Sequence, residues 1–146
     1  MSDKKQFAVV MLVSALFVAW ILYRSLNVVA LNEQLAEDPE LKHYPYQFRV
    51  LNTEGRVAIM STLRSHDVPA VIALRVLYPE LQELPVDNPK VLKAERDMAR
   101  MQARAQKLVL DYGNFDAVRW ELDENWLRLH NVHRQAYSRT GLTPPP

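Results

Sequence analysis

Two histidines near the end of the chain, His130 and His133, have the spacing of a metal-binding pair. Side chains three residues apart on a helix share a face, so both imidazoles could reach one cation, with Glu124 as a nearby carboxylate. Two ligands do not complete a site, and no Glu-x-x-His motif precedes them. We therefore expect a helix-terminal role for both imidazoles and no bound metal or other cofactor. An anchored hydrolase or metal-dependent enzyme is the alternative.

A second pair that could do chemistry is His66 with Asp67, because a carboxylate beside an imidazole can support a general base. Adjacent side chains do not face each other on a helix. Asp67 is expected instead to cap a helix that begins at Val68. No catalytic residue is predicted, and the sequence favours a non-catalytic protein.

A group of basic residues recurs every three or four positions in the second half of the chain. We call this group the basic stripe, and it consists of Lys93, Arg96, Arg100, Arg104 and Lys107. On a helix this spacing produces one basic face, which could bind anionic headgroups or an acidic partner. The next segment of the chain carries carboxylates that could pair with the stripe, namely Asp116, Glu121, Asp123 and Glu124. Internal pairing is the interpretation that we favour.

Aromatic side chains form the other candidate binding surface. Trp120 lies off the main apolar positions of its segment and is the best candidate for an exposed anchor that binds a peptide or glycan. Phe48 and Trp126 are expected in the core, because fully burying such a side chain contributes about 1.5 to 3 kcal/mol. Tyr44 and Tyr46 could join an aromatic groove or simply begin a strand.

Composition excludes several kinds of site. The three glycines, Gly55, Gly113 and Gly141, cannot form a G-x-G-x-x-G turn, a P-loop or a G-x-S-x-G elbow. The lack of cysteine removes disulfides, thiolate ligands and thiol nucleophiles. From residue 25 to residue 146 there are 15 basic and 16 acidic side chains, so nucleic acid is not an expected partner.

Residues 7–23 form an uncharged apolar run. Its 17 residues would reach about 26 Å as a helix, close to the roughly 30 Å of a bilayer core. The run exceeds the usual core of a signal peptide, and the nearest cleavage-like site, residues 28–30, lies beyond Arg24. We therefore predict an uncleaved transmembrane helix. The alternative is a cleaved signal that releases a secreted binding domain.

Orientation is predicted by the basic residues at the two ends of the run. Lys4 and Lys5 lie on the short side, which predicts a cytoplasmic N-terminus over residues 1–6. The rest of the chain would then face the periplasm from a bacterial inner membrane, as a single-pass, bitopic protein. The lipid bilayer is thus the first expected partner.

Beyond the run, apolar residues at helical spacing continue to Asp38 and predict a stalk or linker over residues 24–43. One small extracytoplasmic domain, residues 44–137, is expected after it. Within it, residues 46–50 and 56–60 alternate in polarity around a turn that contains a glycine, which indicates a short β-hairpin.

Residues 68–78 are apolar on nearly every side and predict a buried helix, with a buried strand as the competing assignment. Asn88 can cap a long helix that begins at Pro89 and runs to about Tyr112. Its apolar positions form a heptad seam of Val91, Ala94, Met98, Met101, Ala105, Leu108 and Tyr112.

A second helix over about residues 116–132 would pair with this long helix in an antiparallel helical hairpin. The Pro-rich residues 138–146 are expected to form a flexible tail. The sequence as a whole predicts one transmembrane helix and a small α+β, mostly helical domain. The expected function is a membrane-anchored interaction or scaffold protein, an accessory subunit of a bacterial envelope complex. Its expected partner is a protein of the membrane or envelope, with a homo-oligomer also possible.

Overall fold

The computed structural model describes residues 2–132 of the chain. The predicted tail, and the end of the predicted domain after residue 132, lie outside the described residues. Within them the elements are, in chain order, α1 Asp3–Glu37, β1 Val50–Glu54, β2 Val57–Thr62, α2 Ala70–Leu77, α3 Pro89–Gly113, β3 Ala117–Leu122 and α4 Glu124–Leu129. Two short 3-10 turns, Leu41–His43 and Pro79–Leu81, lie shortly after α1 and α2. The architecture is a long N-terminal helix and a small α+β domain.

Helix α1 is unbroken over 35 residues, which makes it about 52 Å long at 1.5 Å per residue. Its apolar side chains from Phe7 to Tyr23 are exposed. Among residues 2–132 it is the one helix long and apolar enough to cross a bilayer, a property that membrane anchors share with signal sequences.

The second half of α1 is built into the domain. Leu31 and Leu35 are 0% and 1% exposed, and they pack with Leu41 in the same core as α3 and the sheet. Residues 24–43 are therefore not a stalk that stands apart. The same apolar residues that continue the helical pattern also fill the space beside α3, because a helix face with that spacing must be buried somewhere.

A side-chain amide fixes α1 to the edge of the sheet. The Asn32 amide nitrogen donates to the Val50 carbonyl at 3.0 Å, and the Asn32 amide oxygen accepts from the Val50 N–H at 2.7 Å. Nearer the N-terminus, Arg24 donates to Thr53 Oγ1 at 3.2 Å and to Asn52 Oδ1 at 3.3 Å. The helix thus covers the outer edge of β1.

The sheet has the order β1-β2-β3, with β1 antiparallel and β3 parallel to β2. The predicted hairpin is present, with its turn at Gly55, whose φ of 58° is favourable for glycine. Its first strand is shifted from residues 46–50 to Val50–Glu54. Tyr46 and Phe48 do alternate with exposed residues, but they pack in the core from an irregular segment that enters the strand.

The predicted second helix, residues 116–132, is wrong. This segment is strand β3 and then the short helix α4, so no antiparallel helical hairpin forms. Apolar residues at 118 and 122 fit a helical period, but Val118, Trp120 and Leu122 also alternate as in a strand, and β-branched and aromatic side chains suit strands. The Asp123 carboxylate accepts from the Trp126 N–H at 3.0 Å and so caps α4.

Helices α2 and α3 connect β2 to the parallel strand β3. The predicted buried helix is confirmed as α2, but Asp67 does not cap it; the residue before the helix is Pro69. The Val68 N–H is bound by Ser65 Oγ at 3.2 Å, while the Asp67 side chain is 84% exposed. The cap of α3 is confirmed, because Asn88 Oδ1 accepts from the Lys90 N–H at 2.9 Å.

The apolar seam of α3 drifts around the helix along its length. Val91, Met98 and Ala105 are fully buried, but Tyr112, one heptad later, is 55% exposed and Val109 is buried in its place. A straight helix has 3.6 residues per turn, so a seven-residue pattern rotates by about 20° per heptad. The two ends of the seam therefore cannot face the same neighbour.

Helices α1 and α3 are antiparallel. Arg104 binds Asp38, the residue directly after α1, and near the other end a β-carbon at Gly113 would lie 3.1 Å from Leu31 Cδ2. Residue numbers therefore rise along α3 as they fall along α1. The N-terminal end of α3 points away from the apolar half of α1.

Candidate functional site

Two carboxylates that pair with the basic stripe are Asp97, within α3, and Asp38, directly after α1. Lys93 Nζ lies 2.7 Å from Asp97 Oδ2, and Arg100 lies 4.0 Å from the same carboxylate. Two of the acidic residues expected to pair with the stripe are engaged elsewhere: Asp116 binds Arg56, and Asp123 binds Tyr46 and Arg49. Because β3 replaces the expected helix, these two carboxylates lie in the sheet and at the start of α4.

Arg104 connects the stripe to the end of α1. Its guanidinium donates to both oxygens of Asp38, at 2.8 Å and 3.3 Å. The Asp38 carboxylate also accepts from the Leu41 N–H at 3.1 Å and from the Glu40 N–H at 3.2 Å. The hydrogen bond from Arg104 holds the pKa of Asp38 below its usual range, despite the burial of this residue. This pair therefore has a structural role.

A groove lies between the segment after α1, the end of α2 and the N-terminal half of α3. We call it the Tyr44 groove; it has a volume of about 320 Å³ and is lined by Pro39, Glu40, His43, Tyr44, Pro45, Tyr78, Asp97, Arg100 and Met101. It combines aromatic and proline surface with two carboxylates, Glu40 and Asp97, and the guanidinium of Arg100. Such a mixture suits recognition of a polypeptide better than of an apolar ligand.

The hydroxyl of Tyr44 is the unusual group in this groove. It is buried, and within residues 2–132 it has no hydrogen-bond partner. Burial raises the pKa of Tyr44, and also that of the half-buried Tyr78, so both phenols are neutral donors at physiological pH. The Lys93 ammonium lowers the pKa of Asp97, which keeps this carboxylate charged.

Of the basic stripe, only Arg100 lines the Tyr44 groove. Arg104 and Lys107 line a separate open groove of about 420 Å³ toward the C-terminal end of α3. Lys93 is held by Asp97, and Arg96 is exposed on the same helix. The five residues thus share one helix but do not form one continuous site.

Trp120 is half-buried, with its ring edge-to-face against Phe48 at a centroid distance of 6.1 Å. Another part of its surface lines an open cleft of about 600 Å³ that also contains Arg49, Leu51 and Asp123. Trp120 therefore contributes to the core and to a surface cleft together. Phe48 is buried as expected, and Trp126 packs against the core.

A polar network that the sequence did not predict lies beneath this cleft. Tyr46 Oη is 2.8 Å from Asp123 Oδ2 and 2.9 Å from Ser61 Oγ. A phenol has one hydrogen and a carboxylate only accepts, so Tyr46 donates to Asp123 and accepts from the Ser61 hydroxyl. Ser61 Oγ in turn accepts from the Arg49 N–H at 3.1 Å. The only sequence signal for this network was the alternation of polar and apolar residues around Tyr46.

The histidines do not form a site in the described part of the chain. The His130 ring stacks on Trp126 at 3.9 Å, and its Nδ1 is 2.8 Å from the Trp126 carbonyl oxygen, as expected for a helix-terminal imidazole. His133 lies outside the described residues. His66 and Asp67 are 3.5 Å apart and both are highly exposed. Within residues 2–132, no three potential ligands cluster around a metal position.

Comparison with protein families, with curated proteins and with solved structures finds no match to this chain.

Proposed function

We propose that this protein is a single-span, membrane-anchored interaction module, without catalysis of its own, that serves as an accessory subunit of a bacterial envelope complex. Residues 7–23 are the membrane span in this proposal. The N-terminus is cytoplasmic, and the domain lies in the periplasm. The observation that carries the proposal is the division of α1 into an exposed apolar half and a half packed into the domain core.

The packing of α1 argues against a cleaved signal. The nearest cleavage-like site, residues 28–30, ends directly before Leu31, which is fully buried. Cleavage there would place a charged amino group beside the core, where burial of a charge is costly. It would also remove Arg24 and its bonds to β1. An uncleaved α1 keeps Leu31 buried within a continuous helix and keeps Arg24 bound to β1.

The Tyr44 groove supports a protein partner. It begins where α1 ends, 14 residues beyond Arg24, which is about 21 Å along the helix axis. A surface at that distance from the span is accessible to a periplasmic protein. The Arg100 guanidinium gives it a directed donor, and such groups contribute specificity in otherwise aromatic interfaces.

Co-purification from membranes in mild detergent tests this proposal. Full-length protein at native abundance should retain a stoichiometric partner, and Arg100→Glu should reduce that retention at least tenfold, equivalent to about 1.4 kcal/mol. Lys107→Glu is the matched control, because it makes the same charge change on α3 outside the groove. A solitary wild-type protein, or equal loss in both variants, would contradict the proposal.

Orientation has its own test. An alkaline phosphatase fused after residue 132 should be active in cells, since this enzyme folds only where disulfides form. A fusion after residue 132 that is produced at a normal level but is inactive would show the reverse topology.

A further inference from the structure

The connection between α1 and the sheet fixes how far the domain stands from the span. Asn32 holds Val50, and Arg24 holds Thr53, with no break in the helix between the two contacts. Eight residues of helix, about 12 Å, therefore run beside three residues of strand, about 10 Å. Strand β1 thus runs along α1 toward its apolar half. The turn that follows β1 is the part of the sheet nearest to that half.

The side chain of Arg24 shows how close this turn comes to the apolar half of α1. Its guanidinium carbon sits 5.6 Å from the centroid of the Trp20 ring, one helical turn toward the N-terminus. The atoms that bind Asn52 and Thr53 are therefore level with residues 20–24, at the end of the apolar run. The turn at Gly55, two residues farther along the chain, lies level with residues 20–24 or nearer to the N-terminus of α1.

The start of β3 meets the turn at the same level. Arg56 donates to both oxygens of Asp116, at 2.7 Å and 2.9 Å, and the Asp116 N–H donates to the Arg56 carbonyl at 2.8 Å. Beside this pair, Arg119 donates to both oxygens of Glu54, at 3.1 Å and 3.3 Å. Each of these four side chains is more than half exposed.

We propose that this membrane-proximal edge, formed by Arg24, Glu54, Arg56, Asp116 and Arg119, rests in the phospholipid headgroup layer. This inference rests on the proposed membrane anchor. Three guanidinium groups and two carboxylates lie at the depth of the lipid phosphates and amines. Guanidinium groups bind phosphate oxygens through two N–H donors, and carboxylates can accept from lipid ammonium groups. The bilayer is thus a second contact surface of the domain.

This contact would give the domain a fixed orientation. Since α3 is antiparallel to α1, Lys90 in the first turn of α3 lies 14 residues, about 21 Å, beyond Arg104 on the side away from the bilayer. The Tyr44 groove lies between these two levels. The membrane contact would therefore hold the groove at a constant height and direction above the lipid surface.

Spin labels on single cysteines test the proposal, and the lack of native cysteine makes each label unique. Full-length Ala117→Cys, Lys90→Cys and Val13→Cys proteins would be placed in nanodiscs of phosphatidylethanolamine and phosphatidylglycerol that contain a nickel-chelating lipid. All three positions are exposed. Arg119→Cys repeats the measurement from the same edge if Ala117→Cys does not fold.

Nickel at the headgroups should relax the label at residue 117 several-fold more than the label at residue 90. The label at residue 13 should instead collide with oxygen dissolved in the lipid. Equal relaxation at residues 117 and 90, with residue 13 in lipid, would overturn the headgroup contact while leaving the anchor intact. A label at residue 13 that is accessible only to aqueous reagents would overturn both.

Discussion

The side-chain amide of Asn32 pairs with both backbone groups of Val50, at 3.0 Å and 2.7 Å, as a neighbouring strand would. One helix residue thus pairs the backbone groups of Val50 at the outer edge of β1, which would otherwise be unpaired. The same pair fixes the position of the sheet along the axis of α1. It is therefore one of the contacts that fix the sheet to α1.

Replacing Asn32 should destabilise the whole protein. Asn32→Ala leaves the Val50 N–H and carbonyl without partners, which should cost about 1 to 3 kcal/mol. The measurement is urea unfolding of the full-length protein in mild detergent, monitored by circular dichroism. Glu33→Ala is the control, because Glu33 is the next residue and is exposed. Equal unfolding midpoints for the two variants would show that the amide pairing contributes nothing.

Asp38 should make stability dependent on pH. Its pKa is lowered chiefly by the hydrogen bond from Arg104, so the native state favours the charged carboxylate. The resulting stability is complete above the unfolded-state pKa of about 4 and is lost as pH falls through the lower native value. Asp38→Asn should therefore be less stable than wild type at neutral pH by about 1 to 2 kcal/mol, with the difference shrinking in acid.

Urea titrations at a series of pH values measure this difference. Asp116→Asn is the control, since Asp116 also has a lowered pKa beside Arg56 but is 64% exposed. Its effect on stability should be much smaller, because solvent screens exposed pairs. A constant gap between wild type and Asp38→Asn at every pH would contradict the role assigned to the Arg104 contact.

The phenol hydroxyl can be removed at two tyrosines whose hydrogen bonding differs. Tyr46→Phe breaks the chain from Ser61 to Asp123 and should cost about 1 to 2 kcal/mol. Tyr44→Phe removes a buried hydroxyl that has no partner within residues 2–132, so stability should be unchanged or slightly higher. Thermal unfolding of both variants in the same detergent gives the comparison. Equal losses would mean that the Tyr44 hydroxyl already has a structural role.

Local signals in the sequence were sufficient for the elements that are stabilised locally. Helix α3 was predictable because Asn88 and Pro89 mark its start, and Gly113 with Asn114 after it marks its end. The apolar run of α1 and the turn at Gly55 were equally clear. In each case the deciding residues lie within a few positions of the structure that they determine.

Strand β3 and the polar network depend instead on distant residues. β3 pairs with β2 across more than 50 residues, through a crossover that no local pattern specifies. Asp123 lies 77 residues from Tyr46, and Asp38 lies 66 residues from Arg104. Charge pairing was therefore assigned to the nearest acidic segment, although the tertiary fold brings other carboxylates closer. The Tyr44 groove was not predictable for the same reason.

The anchor is the claim on which the function depends most. Alkaline carbonate extraction of cell membranes, with the intact mass then measured on the extracted or retained protein, tests it directly. The protein should remain in the membrane pellet with residues 7–23 still attached. Release into the supernatant at full length, or a mature mass that lacks the apolar half of α1, would contradict the account.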